Sequence, residues 1–228
     1  MAAFFRDLLE KFTEPVFLER VGRKFHFGET QSEKLQAVAE EMLPLMYGEA
    51  FWERRTSCVW NAYQMQNSGA AYEDVVMSLG SGLDRLQDKY TEKGALSESY
   101  MLETLASELL LDSYGAYNRY VQENTDWHVA RYHFPGSEEK LSLEMVPMLL
   151  KGSERITCNA AFCILPKKSV VFIAQLTQDM QTHCEAICAG CSNLHCPNRV
   201  ADDSPKGRLI ARMADLPLSY GYRRIFNI

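Results

Sequence analysis

Four of the chain's seven cysteines fall in one short window near its end, "HCEAICAGCSNLHCPNR", at Cys184, Cys188, Cys191 and Cys196. Thiolates are strong ligands for soft and borderline metals, and four of them on one loop can wrap a single centre with little chain entropy left to lose. The spacing C-x3-C-x2-C-x4-C-P suits two inorganic occupants. A cluster of iron and sulfide is commonly served by a tight cysteine run ending in Cys-Pro, and the present run is that arrangement with two gaps lengthened. A tetrahedral zinc ion takes the same four thiolates, although zinc ribbons usually bring two knuckles from separate hairpins. Reduced cysteines with no ligand, and a redox or disulfide role, stay open beside these two. His183 and His195 flank the run and could replace a thiolate, against the commoner case of a loop histidine facing solvent.

The rest of the composition narrows the class. With 228 residues and 46% apolar content the chain can bury a substantial core. A formal charge of −6 and a pI near 5.5 give no broad attraction for phosphate backbones or anionic lipid, so nucleic acid and membrane surfaces are poor first partners. The opening "MAAFFRDLLEKF" sets Arg6, Asp7, Glu10 and Lys11 among its apolar residues, and no run elsewhere is apolar enough to span a bilayer. A cytoplasmic protein is expected. In a reducing compartment disulfides are rare, which favours a metal or redox role for the cluster, while Cys58, Cys158 and Cys163 are scattered. Cys184, Cys188 and Cys191 also show the C-x3-C-x2-C spacing of radical S-adenosylmethionine enzymes, but there the triad comes early in a barrel and here it comes late.

The elements that must position these residues divide into a helical first half and a strand-rich second half. "TQSEKLQAVAEEMLPLMYGEAFW" pairs Thr30 with Glu33 at capping-box spacing and puts Leu35, Val38, Ala39, Met42, Leu45 and Met46 on one face, with Pro44 placed to kink or end the helix. "ALSESYMLETLASELLLDSYGAYNRYVQE" carries Leu102, Leu105, Ala106 and Leu109 on a stripe and predicts the longest helix. Between them Val75 and Val76 lead into Gly80-Ser81-Gly82 and a helix capped by Ser81, a turn that could approach an anion but more simply is a tight turn. Further on, "DWHVARYHF" reads as a strand running to Pro135-Gly136, and "LSLEMVPMLLKG" as a short helix ended by Gly152. "RITCNAAFCILPKKSVVFIAQLT" reads as two strands joined at Pro166-Lys167-Lys168, with Ile156, Cys158, Ala160, Phe162 and Ile164 on one face and Cys163 on the other. Ser204-Pro205 reads as the start of a last helix.

Three of these stretches resemble one family. "VVMSLGSGLDRLQDKYTEKGALSESYMLETLASELLLDSYG", "ARYHFPGSEEKLSLEMVPMLL", and "ILPKKSVVFIAQLT" with "CAGCSNLHCPNR" resemble, in order and spacing, the activation domain of cobalamin-dependent methionine synthase and its stand-alone bacterial relatives. The resemblance covers roughly residues 70 to 200 and implies an α+β fold with a twisted antiparallel sheet and packed helices, followed by a Cys-rich C-terminal loop. The boundaries expected are an N-terminal helical region over 1–68 and an activation-domain-like region over 69–228, together one continuous globular unit. It also implies S-adenosylmethionine binding by an Arg-x-x-Pro-Gly-Tyr stretch, partly through backbone groups, which maps to Arg131, Pro135 and Gly136. Arg131 stands one residue further from the Pro-Gly pair than in the family, and Ser137 occupies the tyrosine's place. The implied function is an accessory or reactivation protein for a corrinoid-dependent methyltransferase, with a corrinoid protein as partner. An electron donor and a 4Fe–4S cluster on Cys184, Cys188, Cys191 and Cys196 would complete the system. The alternatives are a zinc-stabilised binding module without chemistry and a degenerate relative that has lost S-adenosylmethionine binding.

Overall fold

The computed structural model describes residues 3–57, 59, 70–138, 140–182, 184 and 187. Their order is α1 (Ala3–Glu10), α2 (Pro15–Lys24), α3 (Ser32–Glu49), β1 (Phe51–Thr56), β2 (Ala70–Ser78), α4 (Gly82–Glu92), α5 (Leu96–Asn124), β3 (His128–His133), α6 (Val146–Leu149), β4 (Thr157–Cys158), β5 (Ile164–Leu165) and β6 (Ser169–Thr177). The architecture is α+β: packed helices and a four-stranded antiparallel sheet in the order β1-β2-β6-β3, with β4 and β5 pairing separately. The chain divides into two compact units, one of residues up to 52, 77–116 and 164–170, the other of 53–76, 117–163 and the described residues from 171 on.

The first unit is mainly helical. Leu35, Val38, Ala39, Met42 and Met46 are all buried along α3, as their helical spacing requires, and α3 packs on α1, α2 and α4. Pro44 sits inside this helix on its exposed side, and the helix runs on to Glu49. The start of α3 differs from the expected Thr30–Glu33 box. Gln31 Oε1 accepts the Gly28 amide at 3.1 Å and Ser32 Oγ donates to the Glu29 carbonyl at 2.6 Å, so these bonds close a short turn over Glu29–Gln31 just ahead of the helix. The 29-residue α5 is the longest helix, with Met101, Leu102, Leu105, Ala106 and Leu109 fully buried. It also buries Glu108 and Asp112, whose charges are met from α2: Arg20 Nη2 lies 2.5 Å from Asp112 Oδ2, and Lys24 Nζ 2.5 Å from Glu108 Oε1. Buried carboxylates persist only when paired in this way.

In the second unit Phe172 of β6 is the hub of the core. Its ring meets Tyr117 of α5 and Tyr132 of β3 edge-on, at centroid distances of 5.7 and 5.4 Å. Tyr117 also donates its buried hydroxyl to Glu73 Oε2 at 2.6 Å, and Asn118 Oδ1 accepts the Val129 amide at 2.9 Å, so the last turns of α5 are fixed to β2 and β3 by polar as well as apolar contacts.

The strand expected from Ile156 to Ile164 is corrected. Asn159 Oδ1 accepts the amides of Ala161 and Cys163 at 2.9 and 3.0 Å, the Asn159 amide bonds the Cys163 carbonyl at 3.0 Å, and Phe162 adopts φ 62°. An asparagine side chain that captures backbone amides competes with the ladder, and here it closes a tight turn between β4 and β5. Cys158, at the end of β4, is half-buried, and Cys163 is exposed.

Candidate functional site

Arg131 stands on β3, where pairing with β6 is interrupted. Val129 faces Leu176 and Arg131 faces Gln175, so Ala130 has no partner across the ladder. This β-bulge adds one residue to β3 and resets which side chains share a face; bulges beside sites commonly re-aim a side chain in this way. Arg131 comes out half-buried on the face of His133 and Gln175, while Tyr132 turns into the core against Phe172.

The turn that follows closes on the same face. Gly136 has φ 79°, its amide donates to the Leu141 carbonyl at 2.6 Å, and a Cβ built on it would lie 2.8 Å from Leu143, so only glycine fits. Ser137 turns inward: its hydroxyl and amide both donate to the Phe134 carbonyl, at 2.7 and 3.0 Å. One position later Glu138 reaches back to the strand. Its Oε1 lies 2.9 Å from His133 Nδ1 and 3.9 Å from Arg131 Nη2. His133 is buried, and its Nε2 is 3.2 Å from Gln175 Oε1. A carboxylate only accepts, so Nδ1 carries the proton toward Glu138. Arg131, Pro135 and Gly136 thus belong to one strand and turn, and His133, Glu138 and Gln175 join them. Sequence reasoning missed these three; the available signal was the period of two, which places His133 beside Arg131.

Two other places invite a ligand and are filled by the protein itself. The Gly80-Ser81-Gly82 turn opens the N-terminus of α4, where an anion would be favoured. The carboxylate of Glu49 occupies it: Oε2 accepts the Gly82 amide and the Ser81 hydroxyl, both at 2.8 Å, and Arg85 pairs with Oε1. Ser81 therefore donates to Glu49 instead of capping its own helix. Burial pushes the Glu49 carboxyl up, but the bonds from Ser81, Arg85 and the Gly82 amide outweigh it and hold the group below its ordinary value. In the second unit a cavity of about 280 Å³ is lined by Arg54, Arg55, Asp74, Leu149 and Ser153 among others. Arg55 spends its guanidinium on the carbonyls of Met148, Leu149 and Lys151 and lies 3.5 Å from Asp74, which makes it a clamp on the end of α6 rather than an open anion receptor.

Of the four clustered cysteines, Cys184 is described and buried; Cys188, Cys191 and Cys196 lie outside the described residues, as do His183, His195 and the helix expected after Ser204. The approach to the run is anchored on β3. His128, itself buried, bonds the Thr182 carbonyl through Nε2 at 2.8 Å, and its Nδ1 has no hydrogen-bond partner among the described residues. Because a carbonyl only accepts, Nε2 carries the proton, and in the neutral ring Nδ1 is an unprotonated acceptor. Among the described residues no three His, Cys, Asp or Glu side chains come together to hold a metal ion, and no helix is long and apolar enough to cross a membrane. Set beside known proteins, the chain matches no family model and no curated sequence.

Proposed function

We propose that the chain is an accessory or reactivation protein of a corrinoid-dependent methyltransferase, similar to the methionine synthase activation domain. In this reading it binds S-adenosylmethionine along β3 and the Pro135-Gly136 turn and holds a 4Fe–4S cluster or a zinc ion through Cys184, Cys188, Cys191 and Cys196. The observation that carries it is the placement of Arg131: a half-buried arginine, set by a bulge, on a strand that runs into a glycine turn of fixed positive φ. A guanidinium so placed can take a ligand carboxylate in charge-assisted bonds, and the turn brings backbone within reach of the rest of the molecule. S-adenosylmethionine, when bound, supplies a methyl group to a corrinoid cobalt reduced by one electron from the donor, and its demethylated product remains. The chain's own part is to bind and orient. Four thiolates suit either inorganic occupant, and the buried first member of the run, Cys184, fits a centre shielded from water.

The test is calorimetry with S-adenosylmethionine and with its demethylated product, alongside metal and iron analysis of an anaerobic preparation and of a Cys196→Ser variant. Heat with either ligand, and a brown protein absorbing broadly near ~400 nm that pales in the variant, are the expected results. A colourless protein that carries zinc and binds neither ligand favours the metal-stabilised module, and no heat in any preparation removes the ligand reading.

A further inference from the structure

We infer that the Nδ1 nitrogen of His128 is a ligand of a zinc ion held by the cysteine run that Cys184 opens; this rests on the metal part of the reading above and names both the ion and a donor that the run does not contain. His128 is the first residue of β3, 7% exposed, and pairs with Thr177 of β6. Its Nε2 lies 2.8 Å from the Thr182 carbonyl, while Nδ1 has no hydrogen-bond partner among the described residues. A nitrogen acceptor buried without a partner costs stability, so keeping one there calls for a group that takes its lone pair.

The ring is set as metal-binding imidazoles are set. A ligating histidine donates the N–H of one nitrogen to a carbonyl or carboxylate, which fixes the tautomer and leaves the other lone pair for the ion. Here that carbonyl is held in its turn: the Thr182 amide donates to the Asp179 carbonyl at 2.9 Å, the Thr182 hydroxyl to Asp179 Oδ2 at 2.7 Å, and the Gln181 amide to Asp179 Oδ1 at 3.0 Å. Cys184, 4% exposed, follows two residues after Thr182. Two residues of chain span at most about 7 Å, so the bond to Thr182 fixes the start of the cysteine run close to this ring. Imidazole with thiolates is a common donor set of tetrahedral zinc, whereas a 4Fe–4S cluster is served by thiolates, so the histidine favours zinc of the two occupants.

The decisive variant is His128→Gln, whose amide keeps a donor for the Thr182 carbonyl but offers no ring nitrogen at the Nδ1 position. The reduced, metal-free full chain and the variant are titrated with zinc ions against a chromophoric chelator, and the zinc-loaded forms are compared by X-ray absorption at the zinc edge. The wild type should show imidazole scattering beside sulfur, and the variant should bind zinc about tenfold or more weakly and lose that scattering. A wild type whose zinc has sulfur neighbours only, one that takes up iron and no zinc, or an imidazole signal that persists in the variant overturns the inference while leaving the proposed function in place. A wild type that binds neither zinc nor iron overturns the inference together with the metal part of the proposed function. A second measurement needs no variant: with nitrogen-labelled histidine and a magnetically active cadmium isotope in place of zinc, a scalar coupling between the metal and His128 Nδ1 is expected in the wild type. Its absence refutes the role of His128 even if His128→Gln fails to fold.

Discussion

The carboxylate of Glu49, the last residue of α3, accepts the amide of Gly82, the first residue of α4, at 2.8 Å. An acidic residue at a helix C-terminus is unfavourable with respect to its own helix, so the N-terminus of α4, the Ser81 hydroxyl and Arg85 must supply more than that helix costs. These partners hold the carboxyl below its ordinary value. A depressed carboxylate contributes stability above the unfolded-state value, about 4.3, and loses it as pH falls through the depressed one. Glu49→Gln is therefore expected to lower stability by about 1 kcal/mol at pH 7, discounted for partial exposure. Urea unfolding across pH should show that deficit shrinking below about pH 4, because the wild type has by then lost the charge the variant never had. A deficit constant from pH 7 to pH 3 would reject the account.

Gly80 sits under the same contact. Its φ is 92°, and a Cβ there would lie 2.4 Å from Glu49 Cβ and 3.1 Å from the Glu49 carbonyl carbon, neither of which is the free end of a flexible chain. Gly80→Ala is expected to cost about 2–4 kcal/mol, combining backbone strain with overlap. Gly94 is the control: it ends α4 at φ 69° with nothing within 4 Å of the same position, so Gly94→Ala should cost about 1–2 kcal/mol from strain alone. Equal losses in thermal or urea unfolding would show that the approach of α3 to this turn is not what requires glycine.

How much of this could be read beforehand varied with the range of the interaction. The stripe of α5 was legible because Leu102, Leu105, Ala106 and Leu109 repeat at the helical period and nothing competes with it. The strand over Ile156–Ile164 was misread because Asn159 spends its side chain on two amides, a local choice that alternation of apolar residues does not reveal. The bulge at Ala130 was not legible at all, since it is a property of β3 and β6 together. That Arg131 and His133 share a face of β3 follows from the period of two, whereas the approach of Glu138 to His133 does not, because a bond across a turn leaves no period behind it. The cysteine run is plain in the sequence, but only Cys184 of the four falls among the described residues.

Arg55 has a structural prediction of its own. It stands on β1, lies 3.5 Å from the buried Asp74 of β2, and donates to the carbonyls of Met148, Leu149 and Lys151 at and just beyond the end of α6. Lysine brings one charge but no planar fork, so Arg55→Lys can serve at most part of this set. The expected loss is about 1–2 kcal/mol, moderated by the exposure of the arginine. Hydrogen exchange should localise it: the amides of Leu150 and Ser153, bonded to Val146 and Leu150 carbonyls at 3.0 Å, should exchange faster while those of β3 and β6 do not. Uniform acceleration across the sheet would contradict a local clamp.

Tyr117 gives the last test. Its hydroxyl is buried and donates to Glu73 Oε2 at 2.6 Å, while Arg54 Nη1 reaches the same carboxylate at 3.3 Å. Burial first, and the Glu73 charge second, push the phenol far above its ordinary value, so in the folded protein it stays a neutral donor. Tyr117→Phe keeps the ring that meets Phe172 and removes only the donor, which should cost about 1–2 kcal/mol at pH 7. A group whose folded value is raised contributes stability that is whole below the unfolded value, about 10 for tyrosine, and declines as pH rises toward the folded one. The gap between wild type and Tyr117→Phe should therefore be flat from about pH 7 to 9 and narrow above pH 10, with the other tyrosines cancelling because both proteins carry them. A gap that widens in alkali would mean that the hydroxyl ionises more readily in the folded state than in the unfolded chain, and that the bond to Glu73 does not hold it as a donor.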